Sequence, residues 1–230
     1  MPSLPEIISY VQSITYETAL LGLFFTAGLL LLSRDWRVLI MTLLAQYILV
    51  GIILVRLVRP DIAVLKVLIG AFICPILFLS ARQVSGRLAN SPLTAMISIR
   101  RWRDLRLAWL GPDSPRQVSN LIFQLFGALL ILLVAITLGN TFPLPEPVGS
   151  VTTAVYWLGL AGVLALVLTE EPLRAGVGLL TALTGFDLFY ATAERSLLLT
   201  GLWGTVNLLI ALAIGYLMVV KGTGGLEGER

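Results

Sequence analysis

Apolar residues in this chain come in long blocks rather than in strict alternation. Seven blocks, at residues 16–33, 38–57, 62–80, 117–138, 151–169, 174–192 and 197–220, are separated by breaks rich in arginine, proline or acidic residues, the longest of them at 81–116. An α-helix rises 1.5 Å per residue, so about 20 apolar residues cross the hydrocarbon layer of a bilayer. Each block therefore predicts a spanning helix, and the chain reads as an all-α polytopic membrane protein with about seven transmembrane helices. The sixth block is the weakest, because Thr181, Thr184 and Asp187 dilute it and Gly176, Gly178 and Gly185 lower its intrinsic helicity.

Composition agrees: 57% of the 230 residues are hydrophobic, 13% are charged and the mean hydropathy is +0.94. Soluble domains carry about a quarter charged residues. The N-terminus has no Lys or Arg before the first apolar block and no small-residue cleavage site after it, so it is not read as a signal peptide. Basic residues set the orientation. With the N-terminus outside, Arg34, Arg37, Arg82, Arg87, Arg100, Arg101, Arg103, Arg106, Arg116, Arg174, Lys221 and Arg230 fall inside. Only Arg56, Arg59 and Arg195 fall outside, a strong positive-inside bias that places the C-terminus inside. This topology accounts for the net charge of +3 without nucleic acid.

The longest polar stretch divides the chain into a three-helix half (1–80), a basic cytoplasmic linker (81–116), a four-helix half (117–220) and a polar tail (221–230). Within the linker, Ile99, Trp102, Leu105 and Trp109 share one helical face, and Arg100, Arg101, Arg103 and Arg106 lie mostly around the others. That pattern fits a helix in the cytoplasmic headgroup region against membrane lipids, a solvated basic linker, or a surface docked on a partner subunit. Ser114 to Gln117 has the form of a capping box with proline at the first helical position, which starts the fourth span there.

The absence of histidine, and a single cysteine, Cys74, remove the usual ligands for zinc, haem and iron–sulfur clusters, so no metal or other cofactor is expected. No phosphate-binding loop, zincin motif or nucleophile elbow occurs, and catalysis by this chain alone is not expected. Candidate chemistry lies instead in ionisable groups within spans, which cost about 2.5 to 3.5 kcal/mol each on insertion scales. Lys66 lies only five residues after Asp61, so its stem could snorkel outward and pair with Asp61; alternatively it is buried and carries protons. Asp187 is two helical turns from the Glu194–Arg195 turn, too deep for its short side chain to reach water, and needs a donor or a proton. Thr184, one turn earlier, and Asn207 in the next helix are its candidate neighbours. Gln46 in the second helix is read as a bridge between helices, Pro75 as a kink in the third, and the glycines of the last two helices as close-packing positions.

The combination of Gln46, Lys66 and Pro75 nine residues later, followed by a basic loop and a glycine-rich helix pair, resembles the E component of energy-converting NiFe hydrogenases, the hydrogenase-4 component E type. That family contains a part similar to the K subunit of respiratory complex I and the C subunit of Mrp-type antiporters. The K-type second helix carries Gly, Leu and Glu, with two Asn four and seven residues after the Glu. Here Gly178 to Leu188 keeps the glycine but has Leu180, Thr184 and Asp187 in those three places, and Trp203 stands where a second membrane acid is expected. Leu180 and Asp187 share a helix face two turns apart, so Asp187 could restore a carboxyl at another depth. The resemblance implies a non-catalytic subunit of a complex I-like assembly, without redox centres, in a prokaryotic cell membrane. Its partners would be larger antiporter-like subunits and a redox module; Lys66, Asp187, Gln46, Thr184 and Asn207 would join a proton or cation path. A purely structural subunit and a stand-alone small transporter are the alternatives.

Overall fold

The computed structural model describes residues 4–33, 35–57, 60–89, 115–143, 149–169, 171–193 and 196–227, and no strand occurs among them. Seven helices are described: α1 (Leu4–Leu32), α2 (Trp36–Leu57), α3 (Pro60–Ala89), α4 (Pro115–Thr141), α5 (Gly149–Val167), α6 (Pro172–Ala193) and α7 (Leu197–Glu227). Proline opens α3, α4 and α6, where its fixed φ suits the first turn and its missing N–H has no helical partner to lose. Five segments are long and apolar enough to cross a membrane: Trp36–Leu57, Pro60–Val84, Ile122–Thr141, Pro172–Thr192 and Leu197–Lys221. Shorter apolar segments lie at Glu17–Leu32 and Val151–Val167.

Three boundaries differ from the expectation. The first helix begins at Leu4 rather than near residue 16, α3 continues to Ala89, so the start of the expected linker is helical, and α7 runs to Glu227, into the expected polar tail. Helix α4 opens at Pro115, as the capping pattern predicts. The amphipathic segment bearing Arg100, Arg101, Arg103 and Arg106 lies outside the described residues.

The helices pack in two rows. Helices α1, α2 and α3 lie side by side, as do α5, α6 and α7; α1 faces α5, α2 faces α6 and α3 faces α7, with α4 on the flank against α5. Facing helices run in the same direction with a nearly constant sequence separation. Trp157 of α5 donates its indole N–H to the Phe24 carbonyl of α1 at 3.2 Å, and Thr181 of α6 donates to Gln46 of α2 at 3.3 Å. Gly204 of α7 seats Ile69 of α3, and further along the same pair Gly215 seats Ser80. Within the second row, α5 and α6 approach closely enough that a Cβ added to Gly162 would sit 2.4 Å from the Ala182 amide nitrogen. Small residues at such crossings let backbones touch where lipid tails provide no hydrophobic drive for association.

Two apolar clusters fill the space between the rows. One joins α1, α2, α4, α5 and the end of α6 through residues such as Leu23, Ile53, Leu158 and Leu188. The other joins α2, α3, α6 and α7 through Leu43, Ile73, Leu77, Val177 and Ala211. The outer surface is apolar as well, with Phe25, Met41, Phe72, Phe123, Leu133, Leu202 and Leu209 exposed. An all-round apolar helix bundle suits a lipid solvent. Of the five longer apolar segments, those of α4 and α7 are the least buried, at 22% against 56% for α2.

Candidate functional site

Each helix of the second cluster presents one buried stripe, and each stripe is interrupted by a polar residue. On α3 the stripe runs Ile62, Lys66, Ile69, Ile73 and Leu77; on α7 it runs Gly204, Asn207, Ala211 and Ile214. On α6 the residues Val177, Thr181, Thr184 and Leu188 are buried, with Asp187 beside them, and on α2 Gln46 and Tyr47 fall between Leu43 and Val50. Helical spacing of three and four residues stacks these positions on one face. The polar groups therefore meet where α2, α3, α6 and α7 converge.

The centre is a charge pair. Lys66 Nζ of α3 donates to Asp187 Oδ2 of the diagonally placed α6, and Asn207 Nδ2 donates to the same oxygen at 2.9 Å from α7. Lys66 is 2% exposed, which excludes the snorkelling arrangement and directs its ammonium to Asp187 rather than Asp61. The Asp187 side chain keeps 12% of its surface exposed. Burial makes each charge depend on the other, since an isolated ion in a low-dielectric interior is severely penalised. A second support comes from α2: the Lys66 ammonium lies 5.1 Å from the centroid of the Tyr47 ring, a cation–π contact.

A polar ladder extends from this pair along α6. Thr181, Thr184 and Asp187 follow one another at three-residue steps, spanning about 9 Å along the axis. Thr181 reaches Gln46 Oε1, while Thr184 donates to its own Leu180 carbonyl at 2.7 Å and adjoins the Tyr47 hydroxyl. Two buried atoms around this ladder have no hydrogen-bond partner: Gln46 Nε2 and Asn207 Oδ1. Unsatisfied buried polar atoms are costly and rare, and they cluster where water or an ion binds.

Of the residues singled out from sequence, Lys66, Asp187 and Asn207 are brought into direct contact, and Gln46 and Thr184 flank them. Tyr47 and Thr181 were missed. Both lie in the buried stripes of α2 and α6, so a stripe-by-stripe reading of polar positions signals them. Trp203 packs on Phe186 at 5.1 Å between ring centroids, at the outer edge of the α6–α7 contact, away from any carboxylate role. Pro75 lies inside α3 and is exposed, one helical turn before Leu79 on the outer side. No family model, curated protein or solved structure matches the chain.

Proposed function

We propose that the chain is a non-catalytic subunit of a complex I-like membrane assembly in a prokaryotic cell membrane, where its Lys66–Asp187 pair forms one element of a proton or cation path. In this reading all seven helices span the bilayer, the N-terminus is outside and the C-terminus inside. The observation that carries the proposal is the pair itself. Two ionisable side chains from different helices are joined within an apolar bundle, with an amide and two hydroxyl-bearing residues beside them. Intramembrane charges are expensive, and pairs of them mark ion and proton pathways. Proton transfer along such a path needs a donor and an acceptor in contact, and lysine with aspartate supplies both.

The resemblance to hydrogenase and antiporter subunits supports the partner class, larger antiporter-like subunits with a redox module. The test is affinity purification of the tagged chain from its native membrane in a mild detergent, followed by mass spectrometry. Co-purifying antiporter-like and hydrogenase or dehydrogenase subunits are expected; a homogeneous monomer or homo-oligomer overturns the assignment and favours a stand-alone transporter. One observation favours a scaffold reading: the pair is neutral and ties α3 to α6. Unchanged proton coupling in an assembled complex carrying Asp187→Asn would select it.

A further inference from the structure

We infer that the end of the bundle where α5 turns into α6 carries a binding site for one water molecule, which pins α4 to that turn through Gln124. The site lies apart from the Lys66–Asp187 pair and is independent of the proposed function. Helix α4 is the flank helix: it packs on α5 and touches α1, with Phe123, Phe126 and Leu133 among the residues it exposes. Gln124 interrupts this apolar sequence. Its Oε1 is buried, and no donor reaches it. A buried amide oxygen without a donor is costly, and such atoms mark places where ordered water binds. Gln124 lines a small cavity together with Leu30 of α1, Leu39 of α2, Leu168 and Thr169 just past the end of α5, and Arg174 of α6.

The turn supplies donors to this cavity. Thr169 Oγ1 accepts the Glu171 N–H at 3.3 Å, which leaves the hydroxyl proton to be donated elsewhere. Arg174 donates one N–H to the Ser33 carbonyl beyond the end of α1, at 2.8 Å, and its planar guanidinium carries others. The chemistry of the walls selects the ligand. The orphan atom is an acceptor, so the ligand must donate a hydrogen bond. A metal ion has no proton to donate and would face the Arg174 guanidinium; a simple anion has none either. Space excludes larger molecules, since the cavity offers about 10 Å³ to the centre of a water-sized sphere, room for one water. That water donates to Gln124 Oε1 and accepts from the Thr169 hydroxyl, with Arg174 on the same wall as a further donor.

The experiment is water-edited solid-state NMR of the full chain in bilayers of acyl-deuterated lipid, with glutamine labelled in 13C and 15N. The chain has five glutamines, and Gln124→Met assigns the side-chain signal of Gln124 among them. Early magnetisation transfer from water to the Gln124 carboxamide is expected in the wild-type chain, and its loss when the bilayers are hydrated with deuterium oxide. Thr169→Val removes the second partner of the water and leaves Gln124 in place, so transfer to the carboxamide should fall severalfold. Absence of transfer to Gln124 in the wild-type chain overturns the inference, and needs no variant to fold. Transfer that is unchanged in Thr169→Val comes from bulk water at the surface of the helix, and transfer that persists in deuterium oxide comes from protein or lipid protons; either result overturns it too.

Discussion

Removing either member of the Lys66–Asp187 pair should destabilise the bundle far more than removing both. Lys66 is 2% exposed, and its charge has two supports, the Asp187 carboxylate and the Tyr47 ring. Asp187→Leu removes the first and leaves a buried cation, at a cost of about 3 to 5 kcal/mol. Lys66→Met leaves a carboxylate that keeps the Asn207 bond and 12% of its surface, so its loss belongs at the lower end, about 3 kcal/mol. The double variant Lys66→Met/Asp187→Leu replaces two desolvated charges by apolar groups of similar size. It should lie within about 1 kcal/mol of wild type or exceed it. Unfolding by SDS titration in mixed micelles, followed through the five tryptophans, measures all four corners of the cycle. Additive losses, with the double variant weaker than either single one, would refute the claim that the two charges compensate each other.

Further consequences concern the surrounding packing. Asn207→Leu removes the amide that donates to Asp187 at 2.9 Å and should cost about 1.5 to 3 kcal/mol in the same titration, with the loss largely absent in the Asp187→Leu background. Gly70→Ala places a Cβ 2.4 Å from Tyr47 Cγ, so the ring that backs Lys66 must move; a loss of about 1 to 3 kcal/mol is expected, and wild-type stability would contradict the contact. Gly162→Ala meets the backbone of α6 at 2.4 and 2.5 Å rather than a side chain that can turn aside. Its loss should therefore exceed that of Gly127→Ala, whose Cβ would lie 3.4 Å from a flexible Leu164 methyl.

The membrane class of the fold was legible because seven apolar blocks leave little else for the chain to be, and the proline at 115 marked one helix start; those at 60 and 172, which open two more helices, were not read as such. Extensions such as Leu4 to Thr15 and Ala81 to Ala89 were not, since hydropathy reports the lipid-matched part of a helix and not where its hydrogen bonding stops. Lys66 and Asp187 stood out individually because charge is conspicuous in an apolar run. Their pairing did not, for a simple reason: they are 121 residues apart, and only the two-row packing, with α2 against α6 and α3 against α7, brings the side chains of the diagonal helices α3 and α6 together. The snorkelling alternative for Lys66 followed from its depth along α3, which sequence gives well, whereas the direction it faces follows from the buried stripe of Ile62, Ile69 and Ile73. Tyr47 was overlooked because a tyrosine in an apolar helix is unremarkable until its ring is seen against a buried ammonium. The basic segment at residues 99–109 lies outside the described residues, and its amphipathic reading stands as an expectation.

The most direct test of the central claim is a solid-state NMR distance measurement in lipid between lysine 15Nζ and aspartate 13Cγ. The chain has only two lysines and five aspartates, so specific labelling gives a sparse spectrum. A direct Lys66–Asp187 ion pair predicts strong nitrogen–carbon dipolar dephasing at one carboxyl signal, lost in Asp187→Asn. Dephasing absent from the wild-type chain, or unchanged in that variant, would contradict the buried pair on which the proposed path rests.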